Sequence, residues 1–406
     1  MRLKSGMRLK SGMRLKSRLA ILIALLAANQ AVAWAKAPEI RWSSPVGHPV
    51  YATPRYRDGR VYLTTTQSQG PNVFALNATT GAIIWRYATA GAITVSPTVS
   101  KSQVFVASDI GATHFMRALS AKDGALVWQY TRNQPPQCMC SHNATLGANL
   151  VFAQTDGHDL YAFAPMGNMP SRRLWQFKSD GARLTQPATA QGLVVFGSAD
   201  DDLYGLDAAT GARRWIAKTG YSFVAPPLVV NDRVIDGNRG GTVHAYALAT
   251  GKSLWSFATN GPIDFAPIAS DSRVYLVSED RHVYALNAIT GKLIWQHRMA
   301  DVAISPPVLQ GQRLIVANRA GDAIALNPQT GALLWRVRLH GLPQSAPLLW
   351  GKDVVFKVDD HMIVAISTMT GTVRWRYHTS AVLTKPIAAD GAIVVASSAG
   401  QVVGLR

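Results

Sequence analysis

The chain has 406 residues, of which 48% are hydrophobic, and its formal net charge is +18. This apolar content is enough for a sizeable core. The lysines and arginines are dispersed, so no basic stripe with stacking aromatics indicates a nucleic-acid-binding protein. A net positive surface favours acidic partners or anionic membrane surfaces, or simply keeps a secreted protein soluble. The two cysteines, Cys138 and Cys140, are separated by one residue, which excludes a disulfide framework.

The N-terminus has the features of a secretion signal. Met1–Ser17 repeats the hexapeptide MRLKSG, and seven basic and no acidic residues fall in the first 18. Leu19–Ala28 is an apolar run that is short for a membrane span, and Ala33–Ala35 offers a small-x-small cleavage site. We therefore predict a cleavable signal at 1–35, a single domain at 36–406 and a periplasmic location with no lipid anchor evident. An uncleaved membrane anchor is the alternative.

A ten-residue phrase with one tryptophan recurs along the rest of the chain. Leu286–Trp295 reads LNAITGKLIW, and Leu326–Trp335 reads LNPQTGALLW. The tryptophans in phase are spaced by 43, 43, 47 and then five times 40 residues. They are Trp42, Trp85, Trp128, Trp175, Trp215, Trp255, Trp295, Trp335 and Trp375. A fixed period near forty residues is typical of propellers and solenoids.

One repeat unit favours a propeller. Ala266–Ala269 is a short apolar run, and strands are predicted at Val274–Val277, His282–Leu286 and Lys292–Gln296, with a turn between each pair. Four short strands joined by three tight turns make one propeller blade. Nowhere in the body of the chain does the sequence show a sustained 3.6-residue apolar period, which disfavours helical repeats.

The shared phrase has a structural explanation. Asn287 and its equivalents can hydrogen-bond the backbone of their own turn, and the glycine supplies the positive φ that ends it. The tryptophan, four residues later on the outer strand, would fill the wedge between two blades, where an indole buries about 150–250 Å². We therefore assign structural roles to the nine tryptophans and to these turn glycines. The glycines are Gly81, Gly124, Gly211, Gly251, Gly291, Gly331 and Gly371.

The two ends of the domain predict how the ring closes. Gln401–Arg406 has the pattern of a third strand with nothing after it, and Glu39–Trp42 that of a fourth strand with nothing before it. Pairing the two would complete a composite blade and remove the open edges. The predicted fold is all-β, a closed propeller of four-stranded antiparallel blades. The repeat count is nine, but Tyr161–Trp175 lacks the Thr-Gly turn, so eight blades remain an alternative.

The longest interval between tryptophans holds the residues best suited to binding a metal. Cys138, Cys140 and His142 alternate there, and His114 and His158 occupy the same repeat position in two adjacent units. If these side chains converge on one face, their sulfur and imidazole groups suit Cu(I) or Zn(II). The C-x-C spacing is not that of a standard structural zinc site, so an oxidised or idle cysteine pair is the alternative.

Acidic residues cluster at the second turn of several units. They are Asp200–Asp202, Glu279–Asp280 and Asp359–Asp360. They could surround a pocket on one face of the ring, although solvated turns explain them equally well. No Ser-His-Asp set, phosphate-binding loop or H-E-x-x-H motif accompanies them. We therefore assign no catalytic residue.

The phrase carried by Ala75–Trp85, Ala285–Trp295 and Ala325–Trp335 resembles the tryptophan-docking repeat of pyrroloquinoline-quinone (PQQ) dehydrogenases and their relatives. The dehydrogenase branch implies a periplasmic oxidoreductase with PQQ and calcium. Its members are larger and place adjacent cysteines against the cofactor, whereas Met139 separates the two cysteines here. The non-enzymatic BamB branch, similar in size, implies a scaffold in outer-membrane protein assembly. Its members are usually lipoproteins, and the signal here lacks the lipobox cysteine.

The leading prediction is thus a monomeric envelope propeller that acts as a protein-interaction scaffold rather than as an enzyme. Its expected partners are envelope proteins, in particular outer-membrane assembly components, and not nucleic acid. The basic charge would also allow peripheral association with membranes. A PQQ-type oxidoreductase and a metal-binding propeller are the alternative functions. No cofactor is expected under the leading prediction.

Overall fold

The computed structural model describes residues 37–89, 91–110, 113–133, 144–155, 158–165, 173–179, 182–270 and 272–406. The segment Ala37–Arg406 forms a single structural unit. In these ranges, 36 strands form nine four-stranded antiparallel sheets, the blades of a β-propeller. None of the elements described is a helix with the length and apolar character that a membrane span needs.

The first half of the chain holds β1 and four blades. β1 is Ile40–Pro45. Blade 1 is β2 (Arg55–Arg57), β3 (Arg60–Thr64), β4 (Val73–Asn77) and β5 (Ile83–Tyr87). Blade 2 is β6 (Thr98–Val99), β7 (Gln103–Ile110), β8 (Thr113–Ser120) and β9 (Leu126–Asn133). Blade 3 is β10 (Thr145–Gly147), β11 (Leu150–Thr155), β12 (Asp159–Phe163) and β13 (Arg173–Lys178). Blade 4 is β14 (Ala188–Ala190), β15 (Leu193–Gly197), β16 (Asp202–Asp207) and β17 (Arg213–Lys218).

The second half of the chain holds the other five blades. Blade 5 is β18 (Leu228–Val230), β19 (Arg233–Gly237), β20 (Thr242–Ala247) and β21 (Ser253–Ala258). Blade 6 is β22 (Ile268–Ser270), β23 (Arg273–Val277), β24 (His282–Asn287) and β25 (Leu293–Arg298). Blade 7 is β26 (Val308–Gln310), β27 (Arg313–Ala317), β28 (Asp322–Leu326) and β29 (Leu333–Arg338). Blade 8 is β30 (Leu348–Trp350), β31 (Asp353–Val358), β32 (Met362–Ser367) and β33 (Val373–His378). Blade 9 combines β34 (Ile387–Ala389), β35 (Ala392–Ala396), β36 (Gln401–Leu405) and β1.

The ring closes through its two ends, as predicted. β1 pairs antiparallel with β36, and Trp42 lies opposite Gly404. Backbone hydrogen bonds of 2.9 Å run in both directions between Glu39 and Arg406. The blade count is nine, because β12 and β13 pair normally even though the segment between them lacks the Thr-Gly turn. The predicted fold class is therefore confirmed, with nine blades rather than eight.

Each pair of neighbouring blades encloses one hydrophobic cluster. The nine clusters join blade 1 to blade 2 and so on around the ring, and the last joins blade 9 to blade 1. Every cluster contains one of the nine in-phase tryptophans. In the cluster between blades 6 and 7, Trp295 packs with Tyr275 and Val283 of its own blade and with Leu314 and Val316 of the next. The core is thus divided among the wedges between blades.

A local irregularity recurs just before each tryptophan. The pairing of the third and fourth strands shifts register in all nine blades, for example between Ala285 and Leu286 in blade 6. A bulge bends a strand and increases its twist. The shift therefore lies where the outer strand begins, next to the tryptophan that enters the wedge.

In seven of the nine blades, the indole donates a hydrogen bond to the turn of the next blade. Trp295 Nε1 donates a hydrogen bond of 3.0 Å to the Pro328 carbonyl oxygen. Six other tryptophans donate to the equivalent carbonyl at 2.8–3.1 Å. These six are Trp42, Trp85, Trp175, Trp215, Trp255 and Trp335. The same turn brings Gly331, at φ +73°, so close that a Cβ would lie 2.7 Å from Trp295 ring atoms.

The Trp–Gly contact can be tested against a glycine of similar φ. We expect Gly331→Ala to destabilise the protein by ~2–5 kcal/mol, because positive φ costs alanine ~1–2 kcal/mol and overpacking the indole adds ~1–3 kcal/mol. Gly311→Ala should carry only the cost of positive φ, since Gly311 has φ +55° and nothing lies within 4 Å of its added Cβ. The midpoints of urea unfolding measure the difference. Equal shifts of the unfolding midpoint for the two variants would contradict the close contact between Gly331 and Trp295.

One blade carries a carboxylate where its neighbours carry apolar side chains. Asp236 in β19 is 0% exposed and lies opposite His244 in β20. At the same repeat position, blades 6, 7 and 8 have Leu276, Val316 and Phe356. One carboxylate oxygen of Asp236 accepts the Gly237 N–H at 2.9 Å, and the other has no hydrogen-bond partner among the described residues. Burial raises the pKa of the Asp236 carboxyl well above its usual range.

This carboxylate should destabilise the fold in a pH-dependent way. Because its folded pKa is raised, the folded state binds the proton more tightly, so stability falls as pH rises from the unfolded pKa near 3.8 towards the folded pKa. We expect Asp236→Leu to stabilise the protein by ~1–4 kcal/mol at neutral pH, and by less below pH ~4. Urea unfolding of both proteins across this range measures the difference. A gain in unfolding free energy that does not change with pH would argue against a buried ionisable group at position 236.

Candidate interaction surface

Only two of the five predicted metal ligands lie in the part of the chain that the structure describes. Cys138, Cys140 and His142 lie outside the described residues. His114 is in β8, and His158 comes directly before β12, so both begin the third strand of their blade. Among the described residues there is no group of three or more His, Cys, Asp or Glu side chains that could hold a metal ion. The copper or zinc site therefore stays a prediction.

His114 has an acidic neighbour within its own blade. It is 8% exposed, and its Nδ1 lies 2.7 Å from the Asp109 carboxylate on the adjacent strand β7. Arg132, opposite His114 on β9, reaches across to Asp159 of blade 3 at 3.7 Å. The groups around His114 are thus held by a hydrogen-bond contact within blade 2 and by an ion pair between blades 2 and 3.

The acidic residues of the second turns serve local structure. Asp200 accepts a 2.7 Å hydrogen bond from the Tyr204 hydroxyl, and Asp280 accepts one of 2.6 Å from the Tyr284 hydroxyl. Burial, reinforced by these carboxylates, raises the pKa of both tyrosines. Asp359 accepts a hydrogen bond from a backbone N–H of the neighbouring loop. These three carboxylates therefore fix turns and loops.

The outer strands present an apolar surface to solvent. In several blades, the two residues before the tryptophan are aliphatic and 40–50% exposed. They are Ile83 and Ile84 in blade 1, Leu126 and Val127 in blade 2, Leu293 and Ile294 in blade 6, and Leu333 and Leu334 in blade 7. Blades 6 and 7 are neighbours in the ring, so their four side chains lie on adjacent outer strands. We call Leu293, Ile294, Leu333 and Leu334 the rim surface.

The rim surface flanks open sheet edges. Each outer strand is the last strand of its sheet, so within the described residues one side of its backbone is not paired in any sheet. Open edges invite pairing with another strand, and proteins commonly protect them with charged residues. Blade 4 has Arg213 and Arg214 at these two positions, and blade 8 has Arg374 at the second. Blades 6 and 7 have no charged residue at either of these positions.

Cationic groups lie farther along the same strands. In β29, Arg336 and Arg338 are both about half exposed and share the Asp322 carboxylate at 2.7 and 3.4 Å. The first residues of β29, Leu333 and Leu334, are thus apolar, and its last residue, Arg338, is basic. A segment with apolar and acidic residues would complement both ends.

Sequence reasoning treated the residues before each tryptophan as part of a structural repeat and missed this surface. The signal is present as the recurring doublets of IIW, LVW, LIW and LLW, compared with RRW in blade 4. Alternation alone would place one residue of each doublet in the core. Both residues are exposed because each outer strand lies at the perimeter of the ring.

Comparison with known proteins agrees with this architecture. BamB from Moraxella catarrhalis aligns with a TM-score of 0.58 at 17% sequence identity, covering 90% of this chain and 97% of that one. The computationally designed Ika8 protein aligns with a TM-score of 0.58 at 14% identity, covering 84% of this chain and all of that one. A comparison with curated proteins found no match.

A family model described as outer membrane protein assembly factor BamB matches residues 20–168, 168–236, 225–308 and 283–406. Together these segments span nearly the whole chain, including all nine blades. The matched segments include all nine in-phase tryptophans. The chain therefore belongs to the family of outer membrane protein assembly factor BamB.

Proposed function

We propose that this protein is a protein-interaction scaffold of the bacterial envelope that acts in the periplasm in outer-membrane protein assembly. Membership of the BamB family supports the proposed role in outer-membrane protein assembly. The rim surface carries the proposal, because it combines exposed aliphatic side chains with unpaired strand edges on two neighbouring blades. Adjacent apolar side chains of this kind mark interaction sites on soluble proteins.

The proposed partner binds as an extended segment. Addition of a strand to an exposed sheet edge obtains affinity from main-chain hydrogen bonds and specificity from alternate side chains. The outer strands β25 and β29 offer the edge, while Ile294 and Leu334 offer apolar contact beside it. The scaffold holds this edge rigid because each blade is fixed to both neighbours through its wedge clusters.

The test replaces rim residues with the residue that blade 4 carries there. We expect the double variant Ile294→Arg/Leu334→Arg to fold, since Arg214 occupies the equivalent position in blade 4. It should lose about 10-fold or more of the envelope partners recovered, because charged side chains on an edge oppose strand addition. Crosslinking of envelope extracts followed by affinity capture and mass spectrometry measures the recovery.

The matched control adds the same two charges without removing apolar side chains. Ser253→Arg/Ser256→Arg places them on the outer strand of blade 5, where both serines are exposed. This variant should recover the partners of the unmodified protein. Unchanged capture by the rim variant, with its fold verified by circular dichroism, would refute the proposed surface.

A further inference from the structure

The nine blades give nine copies of most positions, so departures from the repeat can be identified within this single chain. Arg57, the last residue of the first strand of blade 1, is one of them. The eight equivalents are uncharged: Ser100, Gly147, Ala190, Val230, Ser270, Gln310, Trp350 and Ala389. Lys101 of blade 2 is likewise the only cation at its repeat position. These departures concentrate positive charge at one end of blades 1 and 2.

Lys122 adds a third departure at the same end of the ring. It lies in the turn before the outer strand of blade 2, where other blades carry neutral residues. These are Thr79, Ala209, Ala249, Ile289, Gln329 and Met369. Three cations that the repeat does not require thus come from the end of one strand and from two turns, in two neighbouring blades.

A cleft brings the three cations together. It has a volume of about 480 Å³ and lies between blades 1 and 2, and its lining includes Arg57, Arg60, Lys101, Lys122 and the hydroxyl-bearing Tyr62. A second cavity of about 810 Å³ shares Arg57 and Lys101 with the first. We call the two cavities together the blade 1–3 groove, because the second continues to blade 3.

The second cavity is more apolar. Leu146, Leu150 and Pro165 of blade 3 line it, together with Gly147. Arg57 belongs to both cavities and so lies where the cationic part of the groove meets the apolar part. The groove therefore has a basic part and a more apolar part.

The positive charge of the groove is poorly neutralised by the protein itself. Asp58 is the single acidic residue that lines either cavity within the described part of the chain, and it lies 3.7 Å from Arg57 with both side chains exposed. Such an exposed pair holds its partners weakly. Lys101 and Lys122 have no ion pair to any residue that the structure describes.

Arg60 has a different role. Its guanidinium donates to the carbonyl oxygens of Ala121 and Lys122, which ties blade 1 to blade 2. Arginine recurs at this repeat position in blades 5, 6 and 7. Arg60 therefore belongs to the common fold, and only the three departures distinguish the groove.

The cationic excess continues from the groove along the inner strand β2. Arg55 lies two residues before Arg57 on the inner strand β2, and Lys385 precedes the neighbouring inner strand β34. Burial lowers the pKa of both, and the Arg55 charge lowers that of Lys385 further. Neither has an ion-pair partner among the residues described. Two adjacent, partly desolvated cations favour an anion nearby.

We propose that the blade 1–3 groove binds an extended acidic peptide segment of a partner protein. Its carboxylates lie against Arg57, Lys101 and Lys122, and an apolar side chain lies against Leu146 and Leu150. The combined volume of the two cavities suits several residues of a chain rather than one small anion. This site is separate from the rim surface, because it is formed by turns at one end of the blades and not by outer strands.

The test uses a variant built from the chain's own repeat. The triple variant Arg57→Ala/Lys101→Gln/Lys122→Ala installs the residues of blade 4 at these positions, which are Ala190, Gln191 and Ala209. The control triple variant Lys252→Ala/Lys292→Ala/Lys352→Ala removes the same charge from exposed lysines in turns at the same end of other blades. Both variants should fold, because blade 4 already tolerates the first set and the second set is exposed.

The probe is a fluorescein-labelled octapeptide of glutamates followed by leucines, and its binding is followed by fluorescence anisotropy. We expect the triple variant to bind about 10-fold or more weakly than the unmodified protein, and the control variant to bind within about 2-fold of it. Glutamines in place of the glutamates should weaken binding similarly. Added salt should weaken binding of the acidic peptide, because exposed charges are screened.

Three outcomes would overturn the proposal. The first is no binding of the acidic peptide by the unmodified protein. The second is equal affinity for the triple and control variants. The third is binding of phosphatidylglycerol vesicles or inorganic phosphate that depends on the three cations while the peptide does not bind, which would assign the groove to a lipid headgroup or phosphate. The rim variant Ile294→Arg/Leu334→Arg should keep peptide binding, so the two sites can fail independently.

Discussion

The structure depends on one contact that is repeated around the ring: a tryptophan from the outer strand of one blade packs on the turn of the next. For Trp295, burial of the indole, its hydrogen bond to the Pro328 carbonyl and its close approach to Gly331 all act together. Because one blade supplies the indole and the next blade supplies the carbonyl and the glycine, the contact stabilises the two blades against each other. Nine such wedges can all be filled only when the sheets form a closed circle, which the pairing of β1 with β36 completes.

This constraint determines where the protein can vary. The second and third strands are almost fully buried in the wedges, and a polar group there has a structural cost, as Asp236 illustrates. The outer edges and the turns face solvent, so their side chains can change without emptying a wedge. The features that differ from blade to blade lie there: the doublet before the tryptophan is Leu333–Leu334 in blade 7 and Arg213–Arg214 in blade 4, and the cation Arg57 stands at the end of β2, next to a turn.

The two surfaces suit different parts of a partner. The rim surface offers backbone hydrogen-bonding edges with aliphatic side chains, which complement an extended apolar segment. The blade 1–3 groove offers Arg57, Lys101 and Lys122 beside an apolar wall, which complements an acidic one. Both surfaces belong to one closed ring of blades. A scaffold with two such sites can hold two segments at once, and linked segments gain affinity from each other.

The sequence by itself determined the architecture, because its signals are local and repeated. Alternating apolar residues, turn residues and a constant Gly-to-Trp spacing predicted the strands of blade 6 to within about two residues, and the patterns at Glu39–Trp42 and Gln401–Arg406 predicted the closing pair. Only the tertiary structure decided between eight and nine blades, since β12 and β13 pair through backbone hydrogen bonds that do not need a Thr-Gly turn. It also decided which apolar doublets are exposed and which turns meet. Exposure at the perimeter and the convergence of cations from separate segments depend on packing between blades, which no local pattern encodes.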